Sequence, residues 1–202
     1  MIRTKHFVSF FVLVWCLFGC SFKSAESEIC FIGDSITNQW DIESFFPGYY
    51  IHKHAVDGAR VRYTDKWDLS DCKGLTTFFL MGTNDIGYMD SKRINIDDSL
   101  HSFAKVYAKK AASIQADPLV FVSILPRNYK KDHQPEINQR IELQNKYIKE
   151  QLDSNHVDYK YLDIFNDFLK QDYIINEDLF RDGLHPSPEG YELLSTKVNQ
   201  CL

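Results

Sequence analysis

The sequence predicts one α/β domain, a single parallel β-sheet with helices on both faces. Three observations predict it. Apolar stretches of strand length alternate with helix-like stretches from residue 29 to residue 202, the order expected of a parallel sheet. Two of them, Leu75–Met81 and Leu119–Leu125, are near-continuous apolar runs, the signature of strands buried on both faces. Several runs break abruptly into glycine and short polar residues, as strands do at the carboxyl edge of such a sheet, where ligands bind.

The elements follow in order. Ile29–Ile32 is the first strand and ends at Gly33-Asp34-Ser35. Trp40–Phe46 is a short helix or turn closed by Pro47-Gly48. Tyr49–Val56 alternates enough to be a strand and stops at Asp57-Gly58; Val61–Trp67 reads as helical. Leu75–Met81 is the third strand, broken by Gly82-Thr83-Asn84-Asp85. From Asn95 to Ala116, Leu100, Phe103, Val106, Tyr107, Ala111 and Ile114 recur at helical spacing, and Asp117-Pro118 stops the helix. Leu119–Leu125 is the fourth strand, Pro126 to Pro135 a polar loop at its carboxyl end, and Glu136 to Leu152 a second long helix. Val157–Ile164 is the fifth strand, and Phe165–Ile175 is short helix and loop. Ser187-Pro188-Glu189 opens the last helix, with Ser187 as N-cap and proline in the first turn. No repeat, low-complexity run or second domain interrupts this order.

The N-terminus stands apart from the domain. Arg3, Lys5 and His6 precede an almost unbroken apolar run from Phe7 to Phe18, which reads as a signal-peptide core too short for a membrane span. Leu17-Phe18-Gly19-Cys20 follows the pattern of a small residue before a cysteine. It resembles the bacterial lipobox, which implies a leader over residues 1–19 and lipidation of Cys20. The alternative is ordinary secretory cleavage between Gly19 and Glu26. Residues 20–28 then form a polar tether and residues 29–202 the domain. The expected location is the bacterial cell envelope, lipid-anchored, or the exterior. Export leaves Cys30, Cys72 and Cys201, an odd number, so one disulfide and one free thiol are expected. Cys72 precedes a strand and Cys201 ends the last helix, and Cys72–Cys201 is the expected pair. The formal net charge of −5, with no long basic run after the leader, gives no sign of nucleic-acid binding.

Four breaks carry short polar or titratable residues to the sheet's carboxyl edge: Gly33-Asp34-Ser35, Asp57-Gly58-Ala59, Gly82-Thr83-Asn84-Asp85 and Asp182-Gly183-Leu184-His185. Acyl transfer needs a hydroxyl nucleophile beside a base, a carboxylate to orient that base, and donors for the oxyanion. Ser35 can be the nucleophile, His185 the base and Asp182, three residues earlier, the orienting carboxylate. The backbone N–H groups of Ser35 and Gly58 and the amide of Asn84 can form the oxyanion hole. Taken singly, each residue also has a plain structural reading: Ser35 as a cap, Asp182-Gly183 as a turn, His185 as a surface histidine. Asp34 and Asp85 read as loop braces. His52 and His54 share one face of a strand and invite a metal reading, but no third ligand at suitable spacing supports it. Arg60, Arg62, Arg127 and Lys130 could meet an anionic substrate or form a solvated rim; Trp40, Tyr88 and Tyr129 could stack on a sugar, pack an acyl chain, or pack in the core or rim.

Gly-Asp-Ser near the start of the domain, a lone glycine after the second strand, Gly-x-Asn-Asp after the third and Asp-x-x-His near the C-terminus together resemble the GDSL/SGNH hydrolases. The matching residues are Ser35, Gly58, Asn84 and His185, with Asp182 as third triad member, and the resemblance runs from about Phe31 to Tyr191. It implies a flavodoxin-like three-layer fold with sheet order 2-1-3-4-5 and ester hydrolysis without metal or organic cofactor. Gly-x-Ser-x-Gly, the elbow of the α/β-hydrolase fold, is absent. The expected substrate is an O-acetylated sugar or envelope glycan, with a lysophospholipid or other acyl ester as alternative. A non-enzymatic glycan-binding lipoprotein is a further reading, against which the full set Ser35, Asp182 and His185 stands.

Overall fold

The computed structural model describes residues 27–92, 96–130 and 132–202. The expected leader, Cys20 and the tether up to Glu26 lie outside the described residues. β1 (Ser27–Gly33) begins inside the expected tether, because Ser27 and Glu28 already pair with Tyr49 and Tyr50 of β2 (Tyr49–Ala55). β3 (Thr76–Leu80) flanks β1 on its other side, followed by β4 (Leu119–Val122) and β5 (Tyr159–Leu162). The sheet is parallel throughout, in the order β2-β1-β3-β4-β5 that the resemblance implies.

Alternation along the strands divides the core in two. Cys30, Ile32, Phe79, Met81 and Phe121 face one side, where α4 (Ile96–Ile114) and α5 (Glu136–Ser154) bury Tyr107, Ala111, Ile141 and Ile148 against them. Ile29, Phe31, Phe78, Leu80, Val120 and Val122 face the other. There α1 (Ser35–Asn38), α2 (Ile42–Phe45) and α6 (Pro188–Asn199) contribute Ile36, Ile42, Leu194 and Val198. Phe31 stacks on Phe78 at 4.9 Å between ring centroids at the centre of this second core. Burying each such side chain is worth about 1.5–3 kcal/mol. The remaining helix, α3 (Thr83–Lys92), follows β3 directly.

Several elements depart from the sequence expectation. β4 stops at Val122 rather than Leu125, because side chains take over its backbone partners. Asn145 of α5 accepts from Ile124 N at 2.9 Å and donates to Ile124 O at 3.1 Å, while Ser123 Oγ accepts from Ile164 N at 2.9 Å. Val61–Lys66 is helical but of the tighter 3₁₀ kind. A small antiparallel hairpin, β6 (Leu169–Gln171) and β7 (Ile174–Ile175), occupies the stretch expected to be short helix and loop.

The expected disulfide is also corrected. Cys72 is bonded to Cys30, and Cys201 is free. The cause is sidedness. Cys30 points to the α4/α5 face, and Cys72, in the 3₁₀ turn Ser70–Cys72, packs on that same face. Cys201 follows α6 and packs on the opposite face, so the sheet lies between it and Cys72.

Candidate active site

The carboxyl end of β1 turns at once into α1, and Gly33 makes this possible. A Cβ there would lie 1.8 Å from Thr37 Oγ1, so a side chain would push the helix off the strand. Asp34 caps α1, its Oδ1 accepting from Ile36 N at 3.0 Å. Complete burial pushes the Asp34 carboxyl up to about 7, the Ile36 hydrogen bond opposing this only in part. Ser35 is the first residue of α1, 5% exposed.

The partner arrives from the turn before α6. Asp182 Oδ1 accepts from Leu184 N at 3.0 Å and from His185 N at 2.8 Å, which folds the four residues into one tight loop. Its other oxygen lies 2.7 Å from His185 Nδ1, and His185 Nε2 lies 3.0 Å from Ser35 Oγ. With Nδ1–H assigned as donor to the carboxylate, Nε2 presents its lone pair to the serine hydroxyl. Partial burial pushes the Asp182 carboxyl upward, but hydrogen bonds from the backbone and ring of His185 and from Leu184 outweigh it. They hold the group below its usual range. The turn is fixed on both sides. Asn128 N donates to Gly183 O at 2.7 Å, and Tyr191 of α6 donates to Ile36 O at 2.9 Å. The edge of Tyr129 meets the His185 ring at 6.4 Å between centroids.

Gly58 and Asn84 stand on the two neighbouring turns. Gly58 has φ +72°, a left-handed conformation natural to glycine, and it is exposed. The Asp57 carboxylate docks this turn on the end of α1, accepting from Asn38 Nδ2 at 2.9 Å and Gln39 Nε2 at 3.2 Å. Gln39 also accepts from Arg181, next to Asp182. Asn84, in the first turn of α3, donates from Nδ2 to Ala59 O at 3.0 Å. That bond uses one of the two N–H groups on the nitrogen and fixes the amide plane, leaving the other for a ligand. Asp85 ties α3 to the same turn, accepting from Val61 N at 3.1 Å; burial raises its carboxyl to about 6. The turns bearing Ser35, Gly58, Asn84 and His185 are thus cross-linked by side chains.

Other residues singled out in the sequence fall elsewhere. Arg127 is neither a rim cation nor open to an anion. It is buried, donating to Thr83 O at 2.8 Å and to Asp132 Oδ1 at 2.8 Å. It braces the Pro126 to Pro135 loop against α3. Asn138 supports that loop from α5, accepting from Arg127 N at 2.8 Å. Trp40 is core, its indole donating to Ser195 Oγ at 3.0 Å. Arg60 stacks on Tyr88 and Tyr63, at 4.1 and 4.8 Å from the ring centroids. The core reading of Trp40 is the one that holds, while the Arg127–Thr83 and Arg60–Tyr88 contacts depend on partners far along the chain. Among the described residues, the sulfurs of Cys30 and Cys72, joined in the disulfide, lie near a ring nitrogen of His54; this group is on the β1–β2 side and not at the Ser35 turn.

Comparison with known proteins agrees with this fold and places the chain in a family. The family model of the GDSL-like lipase/acylhydrolase family matches residues 31–193. Among curated protein sequences no relative matches. A GDSL-like lipase from Bacteroides thetaiotaomicron is similar in structure, with TM-score 0.65 and 21% identity, over 87% of this chain and 87% of that one. An acetyl xylan esterase, AlAXEase, has TM-score 0.65 and 19% identity over 87% of this chain and 99% of the other. Axe2, an acetylxylan esterase from Geobacillus stearothermophilus, has TM-score 0.61 and 14% identity, over 86% and 93%. At these identities the solved structures speak for the shared fold. With the family model spanning most of the described chain, the protein belongs to the GDSL-like lipase/acylhydrolase family and is a carboxylic ester hydrolase.

Proposed function

We propose that the protein is an exported Ser–His–Asp esterase that removes acetyl groups from carbohydrate or cell-envelope glycan, tethered to the envelope by a lipid on Cys20. The observation that carries the mechanism is the unbroken chain from Ser35 Oγ to His185 Nε2, 3.0 Å, and from His185 Nδ1 to Asp182, 2.7 Å. Ser35 Oγ attacks the ester carbonyl carbon as His185 Nε2 takes its proton. The oxyanion is met by Ser35 N–H, Gly58 N–H and the free N–H of Asn84. Asp182, held ionised, stabilises the imidazolium. The intermediate collapses, the alcohol leaves with the proton from His185, and the acyl group stays on Ser35. Water then attacks the acyl-enzyme, giving its proton to His185, and collapse returns that proton to Ser35 and frees the acid.

The acetyl reading is supported by the signal-like pattern of residues 1–19 and by the fold shared with two acetyl xylan esterases. The acyl-ester reading has one observation in its favour. A cleft of about 460 Å³ lies between α3 and α4, with Tyr88, Met89, Phe103 and Val106 as its apolar lining. It also includes Asp85, the residue after Asn84. A chain-length series of p-nitrophenyl esters separates the two. The acetyl reading predicts that kcat/KM falls at least tenfold from acetyl to octanoyl, with acetate released from acetylated xylan or peptidoglycan fragments. A rise with chain length assigns the cleft to an acyl chain and overturns the acetyl reading, while leaving the triad in place.

A further inference from the structure

The β1–β2 edge holds a second cluster of reactive side chains that the hydrolytic site does not use. Register places Cys30 beside His52 and Ile32 beside His54, so Cys30, His52 and His54 point to the same face of the sheet. The Ser70–Cys72 turn lies on that face and brings Cys72 and Asp71 to them. The sulfur atoms of Cys30 and Cys72 and a ring nitrogen of His54 lie within 4.8 Å of one another. Asp71 Oδ1 is 2.8 Å from His54 Nε2 and 3.8 Å from Cys72 Sγ. Asp71 is in turn held by His52 Nδ1, 3.0 Å from its Oδ2, and His52 Nε2 lies 2.7 Å from Glu28.

We propose that, once the Cys30–Cys72 disulfide is reduced, this cluster binds a thiophilic divalent cation of the zinc type through Cys30, Cys72, His54 and Asp71. Two thiolates, an imidazole and a carboxylate are a donor set that Zn²⁺ takes in tetrahedral geometry. Its bonds of about 2.0–2.3 Å put neighbouring donor atoms roughly 3.3–3.8 Å apart, so the two sulfurs part once reduced and Asp71 Oδ1 moves outward from its 2.8 Å contact with His54 Nε2. The bonds from His52 and Glu28 supply the outer contacts that orient such ligands. Both cysteines are fully buried, whereas the side chains of His54 and Asp71 are 23% and 43% exposed, so the cation enters from the β2 edge. The chemistry balances with a dithiol as reductant. Exchange converts the dithiol to its own disulfide and leaves Cys30 and Cys72 as thiols, and cation binding then displaces their two protons to solvent. Either cross-link ties β1, the strand that leads into Ser35, to the turn before β3.

Cobalt titration tests this. The protein is reduced anaerobically with a phosphine, freed of reductant and titrated with Co²⁺, while circular dichroism follows the fold. The expected result is a near-ultraviolet thiolate-to-cobalt absorption that saturates at one equivalent and is displaced by Zn²⁺. It is absent from the oxidised protein and from Cys30→Ser, intact in Cys201→Ser, and requires at least tenfold more Co²⁺ in His54→Ala. If reduction alone unfolds the chain, the cation must restore the native spectrum. No absorption, an unchanged titration in His54→Ala, or a reduced chain that the cation does not refold would each overturn the proposal.

Discussion

Asn84 carries two N–H groups on one nitrogen, and the Ala59 carbonyl occupies one of them at 3.0 Å. The bond to Ala59 is present before any substrate arrives, so the second N–H is already oriented, which is what makes an oxyanion donor effective. Asn84→Ala is expected to lower kcat on p-nitrophenyl acetate by roughly 10²–10³ while changing KM only a few-fold; steady-state kinetics check both. An equal loss confined to KM would assign Asn84 to ground-state binding. Asp34, one residue from the serine, makes a different kind of prediction. Its folded-state pKa is raised to about 7 from 3.8, so the fold favours its protonated form. The stability it contributes is fully present below about pH 3.8 and is lost as pH rises through about 7. Asp34→Asn keeps the oxygen that accepts from Ile36 N and removes the ionisation. Thermal melts from pH 4 to pH 8 should therefore show the wild type losing stability relative to Asp34→Asn as pH rises. A gap that widens toward acid pH would reverse the sign.

At the scale of elements, the sheet's two faces decide what the sequence leaves ambiguous. Cys30 and Cys72 meet because strand and turn present them to the α4/α5 side, and Cys201 is kept on the other side by α6. Mass spectrometry of unreduced, alkylated mature protein should find a Cys30–Cys72 cross-link and Cys201 alkylated; a Cys72–Cys201 peptide would contradict the register. With a sequence separation of 42, the chain-entropy account puts the cross-link at about 4 kcal/mol. Cys72→Ser should accordingly lower the melting temperature by several degrees or more. The apolar strand cores and the helix start at Ser187-Pro188 were legible because local pattern and capping determine them. The end of β4 was not, since Asn145 lies 21 residues from the Ile124 backbone it replaces a strand for. Nor was the β6–β7 hairpin. Its turn puts Asp172 and Tyr173 at φ 47° and 62°, a geometry that sequence usually announces with glycine or asparagine.

For the whole molecule, the legible part is the convergence of strand ends. Ser35, Gly58, Asn84 and the Asp182/His185 pair each follow a break that the pattern exposes, and the parallel sheet gathers them at one edge. What the pattern could not expose is the layer of ties beneath them. Asp57 to Asn38 and Gln39, Asp85 to Val61, and Arg127 to Thr83 join segments distant in sequence. Asp85 reads as a loop brace from the sequence, whereas the others use residue types that, read singly, look like solvated surface. The central claim is that this assembly makes Ser35 a nucleophile through His185, and a fluorophosphonate probe tests it most directly. Intact-mass analysis should show one adduct per chain, mapped to Ser35, and none in a folded Ser35→Ala variant that no longer hydrolyses p-nitrophenyl acetate. Labelling at another residue, or full hydrolysis by Ser35→Ala, would contradict the account.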